Sequence, residues 1–208
     1  MIKTTAAYKE ALKEKGIFHH KAIIDFPDGS NDTVEDLDIY TFQISDGTSN
    51  TSSFDLGAAI AQQLTLKINN IDGRFDEHDF NGAVITVQVG LELLNGAVEW
   101  LDKGKFTAEP GEESGNSISV KAFDDMTKFD QPYSLSKLVY PATLGTIVRD
   151  ACSCCGVTLA SDTAAFDNNN FIVQNRPDDS ALTFRQVLQW VGQIACKFFR
   201  IDRFGKLS

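Results

Sequence analysis

The stretch VKAFDDMTKFDQPYS, residues 120–134, separates two parts of the chain that differ in hydrophobic periodicity. It begins as a strand, because Ile118, Val120 and Ala122 alternate with polar residues. The alternation stops at Phe123-Asp124-Asp125, where two adjacent acids follow an aromatic residue. The residues alone allow three interpretations of this acidic pair: a catalytic pair, a metal site or a turn. The parts of the chain on either side help to decide between them.

The part before this stretch has the pattern of antiparallel strands. Residues 85–93 are the clearest example, since every second one is apolar, and Asn95-Gly96 behind them is a favoured hairpin turn. Residues 17–26 predict an earlier strand, and residues 6–15 a short surface helix. The region 17–124 holds about six or seven strands at short spacing, and such a series usually closes into a barrel or sandwich.

After Pro132 the apolar residues follow a helical period. Thr143 can cap a helix whose apolar stripe includes Leu144 and Ile147, and Thr183 can cap a second helix that begins 40 residues later. The apolar positions of the two helices match at that same offset. Two helix-then-strand units would pack as a small α+β domain, although amphipathic helices can also resemble each other by chance.

These patterns together predict an α+β protein. We expect an N-terminal helix in residues 1–16, a mainly antiparallel β-barrel domain in residues 17–132 and a small α+β domain in residues 133–208. The last domain is expected to be incomplete at its C-terminal end, because the sequence stops soon after the turn at residues 203–206.

Composition restricts the class of partner. The formal net charge is −10 with a pI near 4.7, and the densest lysine run, residues 9–15, also contains glutamates. Such a surface repels phosphate backbones, so nucleic acid is not an expected partner. No apolar run approaches the roughly 18 residues of a membrane span, and the N-terminus lacks the apolar run of a signal peptide. We therefore expect no membrane span and synthesis in the reducing cytoplasm of the producing cell.

The cysteines and histidines do not predict a metal centre. Three of the four cysteines crowd into Cys152-Ser-Cys-Cys155, which is not the paired arrangement of a zinc knuckle, and Cys196 is the only further candidate ligand. We interpret the thiols as small apolar core residues. His19 and His20 are adjacent on a predicted strand, so their side chains should point to opposite faces, and a shared metal is not expected.

No catalytic motif was identified. The nucleophile elbow and the phosphate-binding glycine loops are absent from the sequence. The acidic loop Asp72–Asp79, which contains His78, fails the spacing of the helix-loop-helix calcium motif and is best interpreted as solvated. Adjacent carboxylates at a strand end point apart, so Asp124 or Asp125 more plausibly caps the segment 126–129. We therefore predict no catalytic, cofactor-binding or metal-binding residues and no enzymatic activity.

The opening stretch resembles a known junction. The pattern Val-x-Ala-Phe-Asp-Asp-Met-x-Lys-Phe-Asp-x-Pro-Tyr, residues 120–133, is similar to one found in the tail hub proteins of long-tailed bacteriophages and prophages, also called baseplate hub or tail-associated proteins. There a strand leaves the first β-barrel and a short helix leads into the next domain. The resemblance implies that the structural junction is formed by Phe123, Asp124, Asp125, Pro132 and Tyr133.

Other segments resemble the same family in the same order. They are Phe54–Ile68, Leu101–Phe106, Thr143–Val157 and Asn175–Leu207. The resemblance implies a structural protein of the virion tail, in which three hub chains form a ring that caps the tail tube and joins it to the tip or fibres. It also implies a second barrel in full hubs and a C-terminal hydrolase in longer relatives, neither of which we recognise in these residues. We therefore expect the chain to correspond to the N-terminal part of a hub or to a reduced hub.

The expected partners are therefore other tail proteins: the tail tube or distal tail protein and the tip or fibre protein. We expect a homotrimer in the full-length assembly, whereas this part alone can remain monomeric. Apolar outer residues such as Leu101 and Phe123 are candidates for contact with neighbours. The alternatives are a β-barrel carbohydrate-binding or adhesin module and an acid–base hydrolase that uses Asp124 or the Asp72–Asp79 loop.

Overall fold

A computed structural model describes residues 3–14, 16–47, 56–160, 166–178 and 180–208 of the chain. The chain divides into two compact units. The first unit comprises residues 1–44 and 64–122, and the second comprises residues 45–63 and 123–208. Each unit has its own hydrophobic core.

One antiparallel sheet forms most of the first unit. Its strands follow one another in the order β2-β1-β5-β6-β8-β4-β3, with β7 paired to β8. A short helix, α1, precedes the sheet and begins at the cap residue Thr5. The bounds are α1 Ala6–Ala11, β1 Phe18–Asp25, β2 Asn31–Glu35, β3 Ile39–Ser45, β4 Gln63–Asn69, β5 Val84–Glu92, β6 Val98–Ala108, β7 Glu112–Ser114 and β8 Ser117–Phe123.

The alternation of apolar residues along these strands forms one buried face. Ile85 and Val87 on β5 are fully buried and lie opposite Ile24 and Ala22 on β1 in the antiparallel register. The hairpin predicted at Asn95-Gly96 joins β5 to β6. The core of the first unit consists of Ala22, Ile24, Phe26, Val34, Leu64, Leu66, Ile68, Phe75, Phe80, Ala83, Ile85, Val87, Phe106, Ala108, Ile118, Val120 and Ala122.

A β-bulge on β6 changes which side chains share a face. Val87 pairs with Gly104 but Gln88 pairs with Asp102, so Lys103 is the extra residue and the alternation shifts by one there. Uninterrupted alternation would place Trp100 and Phe106 on one face, and the bulge places them on opposite faces. Trp100 lies opposite Gly90, where a Cβ atom would come within 2.9 Å of the indole ring, so the bulge and the glycine together accommodate Trp100.

The expected closed barrel is not shown, because the sheet is open. Its edge strands are β2 and β3, and no ladder joins them within the described residues. The chain passes from one edge strand to the other through a 3₁₀ turn, Asp36–Asp38, instead of a hairpin turn. After the turn, β3 pairs with β4 and therefore stands at the opposite end of the strand order from β2. The two edge strands thus follow one another in the chain without pairing in the described residues.

In the second unit, the described residues form two helices and four short strands, together with the 3₁₀ segments 125–130 and 133–135. Strand β9 pairs antiparallel with β11, and β10 pairs parallel with β12. The bounds are β9 Ala142–Thr143, α2 Leu144–Cys155, β10 Thr158–Leu159, β11 Ile172–Val173, α3 Phe184–Ala195 and β12 Lys206–Leu207. The buried core includes Met126, Phe129, Tyr133, Leu144, Ile147, Val148, Ala151, Leu182, Phe184, Val187, Leu188, Val191, Ile201 and Leu207.

The internal correspondence at an offset of 40 residues holds for both helices. Each has 12 residues, and the side chains of Thr143 and Thr183 cap their N-termini as the sequence predicted. Each helix also ends at a residue in the left-handed conformation, Gly156 with φ of 66° and Cys196 with φ of 53°. The two helices therefore share their threonine cap, their length and their left-handed last residue as well as their apolar stripe.

The compact units divide the chain differently from the predicted domains. Residues 45–63 and 123–132, which the prediction assigned to the barrel domain, belong to the second unit. One reason is the parallel bridge between Ala59 and Phe199, a distant pairing that no local pattern reveals. The first two residues of the family-like segment, Phe54-Asp55, lie outside the described residues. Among those described, no helix combines the length and apolarity that a membrane crossing needs.

Candidate functional site

The acidic pair of the opening stretch lies where the chain enters the second unit. Asp124 is the N-cap of the 3₁₀ segment 125–130, and its Oδ1 accepts a hydrogen bond of 3.0 Å from the Met126 amide. The Asp124 amide donates to the carbonyl of Gln62 at 3.1 Å, which ties the segment 45–63 to this junction. The prediction that an acid here caps the following segment is confirmed, with Asp124 in that role. Asp125 instead forms an ion pair with Lys128 at 2.9 Å.

Burial dominates the electrostatics of Asp124. The residue is only 2 % exposed, and its Oδ2 has no hydrogen-bond partner among the described residues. Burial raises the pKa of this carboxyl to about 6, although the amide hydrogen bonds and the nearby Arg185 act in the opposite direction. Asp124 is therefore a buried cap that becomes protonated in mildly acidic solution.

Arg185, near the start of α3, clamps the same 3₁₀ segment. Its Nη2 donates to the carbonyl of Met126 at 3.2 Å and to Oδ2 of Asp130 at 2.6 Å. The guanidinium thereby satisfies a backbone acceptor and a carboxylate at opposite ends of the segment. A helix residue that lies 59 positions after Met126 thus fixes the geometry of the junction.

The second half of the junction is held by backbone pairing. Pro132 forms an antiparallel bridge with Thr183, and the Tyr133 amide donates to the carbonyl of Leu182 at 2.7 Å. The Tyr133 ring, which is 2 % exposed, meets Phe184 edge-on with 5.1 Å between ring centroids. Pro132 suits this position because the residue needs no amide hydrogen.

Tyr133 is also the centre of a polar cluster. Its hydroxyl lies 2.7 Å from that of Tyr140, and burial together with this hydrogen bond raises the pKa of Tyr140 well above its ordinary value. Arg176 places its guanidinium carbon 4.9 Å from the Tyr133 ring centroid and donates to the Tyr133 carbonyl at 2.9 Å and the Leu138 carbonyl at 3.4 Å. The cluster fixes the turn after Pro132 from two sides.

The predicted junction residues thus lie together, but sequence reasoning missed their partners. Arg176, Arg185 and Tyr140 carry most of the side-chain contacts to this stretch. Arg176 and Arg185 lie 43 and 59 residues from the backbone groups that they bind, so no local spacing identifies them. Phe123, at the head of the junction, is half-buried.

The first unit holds a second polar cluster that the sequence did not predict. His19 and His20 were expected to point apart, yet both bind the carboxylate of Asp36. Nδ1 of His19 lies 2.7 Å from one oxygen, and Nδ1 of His20 lies 3.1 Å from the other. Asp36 belongs to the turn between the edge strands, so it reaches groups on both faces of β1. Within the described residues no three potential ligands are grouped for a metal ion.

The polar groups of the acidic loop around His78 bind one another and nearby residues such as Asp38, which accepts from Arg74. The Asn70 side chain donates to Asp76 at 2.7 Å and accepts from the Phe75 amide at 3.0 Å. The imidazole of His78 stacks on Phe26 with 4.3 Å between centroids. These contacts are those of a folded surface loop.

The cysteines divide into two pairs. Cys152 and Cys155 are buried, as predicted, and burial raises the pKa values of their thiols to about 11 and about 12. Cys154 and Cys196 are exposed, so the prediction of packed thiols is wrong for them. Neutral buried thiols are poor nucleophiles, which agrees with a packing role for the first pair.

The outer apolar residues differ from those predicted. Leu101 and Phe123 are half-buried. The first unit instead exposes Leu37, which is 95 % exposed, and Ile71, which is 71 % exposed. The second unit exposes Val139 at 81 % and, to a lesser degree, Phe204, Leu135, Phe171 and Ile172.

Comparison with known proteins gives one informative result. No family model matches the sequence, and no curated protein matches it either. Among solved structures, the fold is similar to that of the prophage MuSo2 43 kDa tail protein from Shewanella oneidensis, with a TM-score of 0.54 at 12 % sequence identity. The match covers 90 % of this chain and 54 % of that protein, so the chain spans about half the length of this structural relative. The chain thus has the fold found in part of a prophage tail protein.

Proposed function

We propose that this chain is a structural protein of a phage or prophage tail, and that it belongs to the hub that caps the tail tube and connects it to the tip or fibres. The observation that carries the proposal is the fold likeness to a prophage tail protein over 90 % of this chain. The more specific assignment to the hub rests on the resemblance of residues 120–133 to the hub junction. Fold alone does not imply function, so the two arguments are needed together.

The proposed partners are other tail proteins, with three copies of the full-length hub in a ring. We assign contact with neighbours first to the most exposed apolar side chains, which are Leu37 in the first unit and Val139 in the second, at 95 % and 81 % exposure. Ring formation requires a head-to-tail contact between copies, in which two different surfaces of the chain meet.

The proposed role of Phe123, Asp124, Asp125, Pro132 and Tyr133 is that of a structural junction. The cap from Asp124 and the Arg185 clamp give the segment 125–130 one defined path. The bridge from Pro132 to Thr183 then ties the segment to the start of α3. A segment that is held at both ends suits a structural protein, because it keeps one conformation when the protein assembles with its partners.

The proposal is non-enzymatic. A hydrolase that used Asp124 would need this carboxylate to reach a substrate, whereas the residue is 2 % exposed and caps a backbone amide. An adhesin module would be favoured by several exposed aromatic rings on one face. Trp100 is covered by the ammonium of Lys21 at 4.1 Å, and Trp190 belongs to the other unit.

Antibody labelling of purified tails tests the proposal. Tails are released by induction of the lysogenic source strain and labelled with gold-conjugated antibodies raised against this chain. We expect one cluster of gold at the tip end of each tail. Gold on the capsid, gold spaced along the tube, or unlabelled tails in a preparation that contains the known tail proteins would each contradict the hub assignment.

A further inference from the structure

The turn between the two edge strands of the first unit is anchored by side chains from three elements. Asp36 accepts from the His20 amide at 2.7 Å, and its carboxylate lies 2.7 Å from Nδ1 of His19 and 3.1 Å from Nδ1 of His20. On the other side of the turn, Nη2 of Arg74 donates to Asp38 at 2.9 Å. Between these anchors lies Leu37, whose side chain is 95 % exposed.

His19 faces a carboxylate at each of its ring nitrogens. Nδ1 lies 2.7 Å from Asp36, and Nε2 lies 3.5 Å from Oε2 of Glu92 on β5. A neutral imidazole has one N–H, so one of its nitrogens would direct a lone pair at a carboxylate. Nε2 makes no hydrogen bond to the described residues, so its contact with Glu92 is an ion pair, which only the imidazolium forms. The geometry therefore favours the charged ring.

The remaining charged groups around the turn form pairs of their own. Lys21, next to His20 on β1, pairs with Glu35 of β2 at 2.9 Å, and Arg74 holds Asp38. The hydrogen bond to Asp36 raises the pKa of His19 above its ordinary value of 6.5; burial opposes this effect and the Glu92 carboxylate adds to it. His19 lies between two carboxylates, whereas the ring of His20 faces only that of Asp36 among the described residues, so the charge of His19 affects both contacts.

We propose that His19, Asp36 and Glu92 form a pH-sensitive latch that holds the turn Asp36–Asp38, and with it Leu37, in mildly acidic solution and loosens it in alkaline solution. The sign follows from linkage. A histidine whose folded pKa is raised contributes stability that is fully present below its unfolded pKa and is lost as the pH rises through its folded pKa. The turn connects the two edge strands, β2 and β3. Loosening it therefore lets these two strands move more independently of each other.

The test uses nuclear magnetic resonance on the intact chain between pH 5 and pH 9. We expect the His19 ring signals to titrate with a midpoint above 6.5. The exchange rate of the Ile39 amide, which donates to the Asp36 carbonyl and closes the turn, should rise through the same midpoint after correction for the intrinsic effect of pH. The rise should be about tenfold for each unit by which the His19 pKa differs between the held and the loosened turn.

Two variants and a control make the test decisive. His19→Gln should leave the Ile39 amide in faster exchange that no longer rises through a midpoint above 6.5, and Glu92→Gln should lower the His19 midpoint without unfolding the sheet. His78→Gln is the control, because His78 stacks on Phe26 and makes no contact with this turn. A His19 midpoint at or below 6.5, turn exchange that does not follow it, or a pH response that survives in His19→Gln would overturn the latch.

Discussion

Arg176 donates a hydrogen bond of 2.9 Å to the carbonyl of Tyr133 and lies over the Tyr133 ring, 4.9 Å from its centroid. A single guanidinium therefore binds both the backbone and the ring of the residue that ends the junction. It also reaches the Leu138 carbonyl, so it closes the turn that follows. Lysine cannot reproduce this planar fork.

Arg176→Lys is expected to lower the free energy of unfolding by about 1–2 kcal/mol, because a charged hydrogen bond to a half-buried acceptor is lost while the charge stays. Urea unfolding followed by circular dichroism measures the change. Arg203→Lys is the matched control, since Arg203 only covers the exposed ring of Phe204. Equal effects of the two substitutions would show that the contacts of Arg176 with Tyr133 do not add to the free energy of unfolding.

Asp124→Asn tests the buried cap. Because the folded pKa, about 6, lies above the ordinary value of 3.8, the wild-type carboxyl favours folding below pH 3.8 and loses that contribution as the pH rises through 6. Asparagine keeps the cap and carries no charge, so the variant should gain about 2–3 kcal/mol of unfolding free energy relative to wild type between pH 4 and pH 7. Urea denaturation at four pH values gives this difference, in which the contributions of other carboxyls cancel.

Asp125→Asn is the control for that series. It removes the partly exposed ion pair with Lys128 and should cost less than about 1 kcal/mol. If the stability difference between Asp124→Asn and wild type does not change with pH, the account of Asp124 as a buried and unpaired carboxyl is wrong.

Cys196→Gly is expected to stabilise the protein by about 0.5–1 kcal/mol, because Cys196 ends α3 in a left-handed conformation that glycine adopts without steric cost. Gly156→Ala, at the corresponding position of α2, should destabilise it by about 1 kcal/mol. An added Cβ at Gly156 meets no atom within 4 Å, so this cost comes from the backbone alone. Thermal unfolding of both variants measures these changes. Cys196→Ala is the control, because it removes the thiol without giving the backbone the freedom of glycine. A gain in Cys196→Ala equal to that in Cys196→Gly would refute the backbone argument.

Thr183→Ala removes the side chain that caps α3. The Thr183 hydroxyl accepts from the Gln186 amide while the Gln186 side chain accepts from the Thr183 amide, which makes a reciprocal capping box. The loss should cost about 1 kcal/mol, and Thr183→Ser should recover most of it. Chemical denaturation compares the three proteins. No recovery with serine would mean that the threonine methyl group, and not the cap, supplies the stability.

Local patterns predicted much of this fold. The alternation of residues 85–93 predicted β5, and Thr143 and Thr183 predicted where α2 and α3 begin. Asp124 was predicted as a cap because an acid at a strand end finds free amides just beyond it. These features depend on residues within one turn or one hairpin.

The features that were missed depend on distant residues or on irregular geometry. The bulge at Lys103 moved Trp100 to the other face, and no alternation rule detects an extra residue inside a strand. The open edges of the sheet follow from the Asp36–Asp38 turn, whose sequence resembles that of an ordinary acidic loop. Arg176 and Arg185 reach the junction through tertiary packing, so their roles appear only in the folded structure.

A cryo-electron microscopy reconstruction of the tip end of phage tails from the source strain tests the proposed place of this chain in the hub. We expect a ring of three copies around the end of the tail tube, each with density that fits the open sheet and helices α2 and α3. A tube end built without this fold, in tails shown by mass spectrometry to be otherwise complete, would rule the proposal out.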